Sequence, residues 1–227
     1  MSQADSDLLC IRHQADWGPW AVGVRSDRGA KRPRQEDAWA LAPLGKPEEG
    51  QIVAAAFDGL GGLPRGRQAA QSAAEALAPA VEQGTTPGDL LDRLAEAVIA
   101  TGGATTAVVA WLDGEGQGHI INAGDSAAYL IMDGHPRRAN PLDRAGRHMV
   151  TDCLGYGDVR GHVTSIEVPV GASLLVCTDG VDGVVSPEAL LSALEADDPA
   201  AALEPLFDEV HANGSPDNAT ALLLRRR

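Results

Sequence analysis

The stretch Gln51-Ile52-Val53-Ala54-Ala55-Ala56-Phe57-Asp58-Gly59-Leu60-Gly61-Gly62 decides how the chain is read. An apolar run from Ile52 to Phe57 stops at a carboxylate, and three glycines follow within four residues. The run is short, lacks helical periodicity and reads as a buried strand. Asp58 then stands at the end of that strand, where the chain turns. Glycine lets the backbone turn tightly and lets a cation or a phosphate approach the main chain with no Cβ in the way. The Gly59 carbonyl is then available as a hard oxygen ligand. Taken alone, these residues also fit a tight turn with a solvated aspartate.

Working outward, the same pattern recurs. The apolar run from Ser173 to Thr178 ends in Asp179-Gly180, and Gly124-Asp125-Ser126 separates two apolar segments, His119 to Ala123 and Ala127 to Met132. Glu36-Asp37 leads into the strand-like Ala38 to Leu44, and Asp217-Asn218 precedes a closing strand, Ala219 to Leu224. Each of these aspartates can also be a turn residue whose side chain caps its own backbone. Together, carboxylates at strand ends without histidine or cysteine partners point to a hard divalent cation held by oxygen, Mg²⁺ or Mn²⁺ rather than Zn²⁺. Two like charges about 4 Å apart repel by roughly 4 kcal/mol at an effective dielectric near 20, so such a cluster calls for bound metal. Paired metals also supply a water nucleophile for in-line attack on phosphorus. Upstream of Glu36, Arg32 offers a planar fork that suits phosphate oxygens.

The remaining pattern alternates short strands with two pairs of helices. Leu8 to His13 and Trp20 to Arg25 read as strands around a Gly18-Pro19 turn. A helix is expected from Pro64 to Glu82, with Ala69, Ala73, Ala76, Leu77 and Ala80 on its packed face and Gly84 ending it. Leu90, Leu91, Leu94, Ala97 and Val98 give a second helix its apolar stripe. Arg65 and Arg67 read as solvated. Gly103 to Leu112 and Val163 to Val168 are further strands, and helices run from Ser186 to Ala196 and from Asp198 to Val210. Residues 135–161 read as an irregular, arginine-bearing surface loop near the site. Short connections between successive strands favour antiparallel pairing, and two packed sheets with helix pairs outside are the expected architecture.

The 227 residues suit one domain, 1–227, and 44% hydrophobic content is enough for a sizeable core. Aromatics are only 4%, so Ala, Val and Leu must do most of the packing. A net charge of −14 argues against nucleic acid or an anionic membrane as partner. Cys10, Cys153 and Cys177 are three widely spaced cysteines with no CxxC, which suggests a reduced, cytoplasmic setting. No apolar run approaches the roughly 20 residues needed to span a bilayer.

Six segments, in order, are similar to those of one family: Arg32 to Asp37, Phe57 to Gly62, Gly103 to Ala107, Gly124 to Ser126, Thr178 to Gly180 and Asp217 to Thr220. The chain resembles the metal-dependent protein serine/threonine phosphatases, the protein phosphatase 2C or PPM type, in a compact bacterial form. The resemblance implies an α+β fold, a four-layer α-β-β-α sandwich of two mainly antiparallel sheets flanked by helix pairs. It implies hydrolysis of phosphoserine or phosphothreonine in proteins by a metal-activated water, with two or three Mn²⁺ or Mg²⁺ ions. Asp58 is expected to bridge two metals, the Gly59 carbonyl to ligate one, and Asp179 and Asp217 to complete the other. Glu36 and Asp37 would bind directly or through water, Asp125 would help a third, weaker metal, and Arg32 would bind the substrate phosphate. Asn218 and Thr220 are expected to shape the last turn.

Departures from the family pattern bear on these expectations. Leu60 stands where many relatives carry a histidine proposed as general acid, which would leave protonation of the leaving oxygen to a metal-bound water. Gln35 replaces a frequent asparagine. The spacing near Asp182-Gly183 differs, and no role is assigned to Asp182. The flap between Gly134 and Gly155 is shortened. The expected partner is a phosphorylated protein, a cognate serine/threonine kinase or its target, with the chain acting as a monomer. The alternatives are a catalytically silent relative that binds a phosphoprotein or kinase, a related phosphatase acting on anti-sigma-factor antagonists, and a structural β-sandwich whose aspartates only make turns. The Arg32 motif favours the general protein-phosphatase branch over the second of these.

Overall fold

A computed structural model describes residues 10–61, 65–132, 134–146 and 149–227. It contains thirteen strands and five helices among those residues. The first four strands are β1 (Cys10–Trp17), β2 (Trp20–Asp27), β3 (Asp37–Leu44) and β4 (Gln51–Asp58). Helices α1 (Gly66–Glu82) and α2 (Leu90–Ile99) follow, then β5 (Ala107–Leu112), β6 (Gln117–Ala123), β7 (Ala127–Met132), β8 (His135–Arg138), β9 (Arg144–Ala145), β10 (Met149–Val150), β11 (His162–Glu167) and β12 (Ser173–Cys177). Three helices, α3 (Asp179–Asp182), α4 (Pro187–Glu195) and α5 (Pro199–Ala212), lead to β13 (Ala219–Arg226).

Every strand pair is antiparallel. One sheet has the order β1-β2-β13-β12-β7-β8 and the other β11-β6-β5-β4-β3. The sheets stack face to face, α1 and α2 cover the five-stranded sheet, and α4 and α5 cover the six-stranded one. This is the expected four-layer sandwich.

Period-2 alternation explains why central strands such as β4, β5 and β12 are apolar throughout: both faces of each sheet are covered there. In β4, Ile52, Ala54 and Ala56 face the opposite sheet, whereas Val53, Ala55 and Phe57 face α1 and α2. In β13, Leu222 and Leu224 enter the inter-sheet core, and Ala221 and Leu223 meet α4 and α5. Small side chains on α1, with Ala69, Ala70, Ala73 and Ala80 buried, let that helix lie close on the sheet. The scarcity of aromatics is met by close approach rather than by bulk.

Several boundaries differ from the sequence reading. The first strand runs from Cys10 to Trp17, with the beginning of the expected one outside the described residues. Pro64 lies outside them too, and α1 starts at Gly66, after Arg65 in a left-handed conformation at φ 70°. Arg65 is not merely solvated, since its Nη1 donates to the Thr101 carbonyl at 2.8 Å. Residues 135–161 are not wholly irregular. Strand β8 pairs with β7, and β9 and β10 form a small hairpin. Both exist because a chain leaving one sheet edge satisfies its backbone groups most readily by folding back on itself. No helix occurs in the described part of the flap segment.

Candidate metal centre

The strand ends carrying the acidic residues meet at one edge of the sandwich. Asp37 opens β3 and Asp58 closes β4, and the two are register partners. Parity puts Asp58 on the same side as Ala54 and Ala56, facing the other sheet. From that other sheet, Thr178 follows β12, and its hydroxyl donates to Asp37 Oδ2 at 2.9 Å. Asp179 is then the first residue of the short helix α3, not the last of a strand, and its carboxyl shares a hydrogen bond with that of Asp58. Asp217 lies in the turn before β13 and accepts from Arg32 Nη2 at 2.6 Å.

Charge coupling records the convergence. Asp37, nearly fully buried, has its pKa pushed up to about 7, first by desolvation, against hydrogen bonds from Thr220 and Thr178, with the charges of Asp179 and Asp217 adding to the rise. Asp58 keeps some solvent contact at the mouth of the site, yet burial drives its pKa well above the usual range, and Asp37, Asp179, Asp217 and Asp125 push the same way. Asp179 is raised by burial and by Asp217, against its hydrogen bond with Asp58 and the charges of Arg144 and Arg32. Asp125 is raised by burial and by Asp179, against Arg144 and Arg138. Burial works against the charge on Arg32, but Asp217, Asp58 and Glu36 raise its pKa overall.

Gly59 is sterically required, and Gly61 gives room to two side chains. A Cβ on Gly59 would come within 2.4 Å of the Gly66 carbonyl oxygen and 2.6 Å of that of Glu36. A Cβ on Gly61 would meet Glu36 Oε2 at 2.8 Å and Arg32 Nη1 at 2.9 Å, so the Glu36 carboxylate and the Arg32 guanidinium both press against this turn.

Hydroxyls and amides around the acids hold the turns in place. Thr106 Oγ1 accepts from the Asp58 amide at 3.1 Å and pairs with Ser126 Oγ at 2.7 Å, while Thr105 Oγ1 donates to the Asp58 carbonyl at 2.9 Å. Asn218 clamps the arginine loop: its Nδ2 donates to the carbonyls of Arg28 and Arg34, and its Oδ1 accepts from the Glu36 amide at 2.9 Å. Gln35 Nε2 reaches Ser26 Oγ, which pairs in turn with Thr220 Oγ1. Thr105 and Thr106 lie in the Gly103 to Ala107 segment and Thr178 precedes Asp179, but which group each hydroxyl holds is not legible in the sequence. Asp182, to which the sequence reading gave no role, accepts from Tyr129 Oη at 3.0 Å, and Arg138 Nη1 lies 3.6 Å from it.

The donor set fits a hard divalent cation: the side-chain ligands are all oxygens, and Asp37 Oδ1 is buried with no hydrogen-bond partner. Among the described residues, no three of these side chains already stand in metal-holding geometry, since several carboxylates are turned to Arg32, Thr178 and one another. The electrostatic convergence weighs more. Strand ends fix the main chain, whereas a carboxylate reorients by side-chain rotation alone.

A cavity of about 230 Å³ lies apart from these acids, between β1, β2 and α5. Arg25, which lines it, is already matched by Glu204 and Asp27.

A family model described as Stage II sporulation protein E (SpoIIE) matches residues 49–227. The chain belongs to this family. That match begins after the Arg32 motif. The serine/threonine protein phosphatase PstP of Mycobacterium tuberculosis is 29% identical over 88% of this chain and 44% of its own length. The chain thus spans less than half the length of the curated relatives it matches. PppA, a key regulatory component of T6SS in Pseudomonas aeruginosa, shares the fold with a TM-score of 0.74 at 23% identity, covering 95% of this chain and 100% of PppA. The catalytic domain of PstP in complex with two manganese ions gives 0.70 at 26% identity, over 91% of this chain and 97% of that one.

Proposed function

We propose that the chain is a metal-dependent protein serine/threonine phosphatase that hydrolyses phosphoserine or phosphothreonine on a partner protein. One observation carries this reading: four aspartates from separate segments, Asp37, Asp58, Asp179 and Asp217, converge, the carboxyl pKa values of Asp37, Asp58 and Asp179 being raised by burial and by their acidic neighbours, with Arg32 bound to Asp217.

Asp58, Asp179, Asp217 and the Gly59 carbonyl would hold two Mn²⁺ or Mg²⁺ ions, with Glu36 and Asp37 binding directly or through water. Bound divalent ions supply Lewis acidity toward phosphoryl oxygens and lower the pKa of a coordinated water. Arg32, held by Asp217 and partly exposed, presents its remaining N–H groups to the phosphoryl oxygens. Thr105 and Thr106 hold the main chain of Asp58, and Thr178 binds the Asp37 carboxylate, so the turns that carry the acids are fixed. Leu60 offers no proton, so the leaving oxygen takes its proton from water at the site. The substrate is a kinase-modified protein or the kinase itself, and the chain works in the cytoplasm as a monomer.

The test is hydrolysis of p-nitrophenyl phosphate and of a phosphothreonine peptide. Activity with Mn²⁺ or Mg²⁺ and its loss in EDTA is the expected result; full turnover in EDTA overturns the reading.

A further inference from the structure

Arg144 has no part in the scheme above, yet it stands at the acidic edge. Its Nη1 lies 3.8 Å from Asp125 Oδ2, and the Asp125 side chain is only 6% exposed. The contact is built rather than incidental. Asp143, the preceding residue, exchanges backbone with Gly124, the residue before Asp125: its amide donates to the Gly124 carbonyl at 3.1 Å. The Asp143 carboxylate accepts from the Gly124 amide at 3.1 Å and is bound to His162 Nε2 at 2.8 Å. Its carbonyl accepts from Thr151 at 2.9 Å, closing the small hairpin. Two neighbouring residues are therefore locked side by side, and the guanidinium is delivered to the carboxylate.

A second guanidinium backs the same turn. Arg138 Nη2 donates to the carbonyls of Asp125 and Ser126. The positive field of Arg144 reaches Asp179 as well as Asp125.

We infer that Arg144 is a built-in cation that occupies the third-metal side of the centre, so that this chain takes two divalent ions and not three. The inference rests on the metal-dependent reading above. A guanidinium in front of the Asp125 carboxylate and another behind its turn both repel a further dication placed there. Fixing the charge on a short hairpin also dispenses with a weak, exchangeable ion at this position. Arg144 is thus a positioning residue: it holds Asp125 and shapes the field at Asp179.

The experiment counts bound Mn²⁺ by isothermal titration calorimetry and by electron paramagnetic resonance of the free ion. Wild-type protein is expected to bind two ions per chain. Arg144→Ala and Arg144→Gln gain a third, weaker site, and Arg144→Lys stays at two. Adding Asp125→Asn to Arg144→Ala removes the gained site. Three ions on the wild type, or two on Arg144→Ala and Arg144→Gln, overturns the inference while leaving the metal-dependent reading intact. No bound Mn²⁺ on the wild type overturns both.

Discussion

Asp37 and Asp58 stand directly opposite one another as register partners on β3 and β4, so the ladder that builds the sheet also forces two carboxylates together. Like charges at such a pair destabilise a sheet by about 0.2–1 kcal/mol. Asp37→Asn keeps an acceptor for the Thr178 hydroxyl and removes one charge. In EDTA above pH 7, where Asp37 is ionised, this variant should melt about 0.4–4 °C higher than wild type, on a slope of about 2–4 °C per kcal/mol. Its turnover should fall at least ~10–100-fold, the scale seen even for outer-shell partners of metal ligands. Melting curves in EDTA together with a turnover assay read both effects, and a lower melting point would contradict the repulsion.

The raised carboxyl pKa values set a pH dependence with a definite sign. Asp37 titrates near 7 in the folded chain, against 3.8 ordinarily, so between those values the folded state holds a proton the unfolded state has released. Stability of the metal-free protein therefore falls as pH rises from about 4 toward 7 and levels off above it. Metal binding needs the ionised form, so Mn²⁺ affinity should drop as pH is lowered through 7, and binding near pH 6 should release protons. Calorimetry in buffers of different ionisation enthalpy measures that release directly; a buffer-independent heat at pH 6 would count against it.

Asn218 ties the Arg28–Glu36 loop to the turn before β13 through three hydrogen bonds. Asn218→Ala leaves those backbone groups without their partner, at a cost of about 1–3 kcal/mol. The expected result is a melting point lowered by roughly 2–12 °C, at about 2–4 °C per kcal/mol for a chain of this size. KM for a phosphopeptide should rise more than kcat falls, because Arg32 rides on the released loop. A change in kcat alone would show that the loop does not position the phosphate-binding group.

Gly61 separates stability from function. A Cβ there meets only the ends of two flexible side chains, Glu36 Oε2 and Arg32 Nη1, and no backbone. Gly61→Ala should fold with a melting point near wild type while displacing both side chains. Loss of one charged hydrogen bond to phosphate, about 1.5–3 kcal/mol, corresponds to a rise in KM of about 10–100-fold. Steady-state kinetics alongside a thermal melt distinguishes this from general damage. Gly59→Ala is the contrasting case, because its Cβ would strike the carbonyl oxygens of Gly66 and Glu36 and the main chain must move.

The layered architecture was legible because it rests on local rules. Residues 52–57 are apolar on both faces, which only a doubly covered strand explains, and the helix pairs show their apolar stripes directly. The aspartates at the strand ends stood out for the same reason: each interrupts an apolar run beside glycine. Arg144 did not stand out. It was one of several arginines in a polar stretch, and its significance depends on the backbone pairing of Asp143 with Gly124.

The chain's own order of residues determined that acids would lie at strand ends, that the strands would be buried on both faces, and that small residues would pack the core. These follow from period, burial and glycine's lack of a Cβ, which act over a few neighbouring positions. Only the tertiary structure decided which acids meet: that Asp58 shares a hydrogen bond with Asp179, that Asp217 turns to Arg32, and that Asp125 faces a guanidinium. Contacts between residues far apart in the chain depend on strand order and register, and no local pattern encodes which sheet edge two distant turns will share.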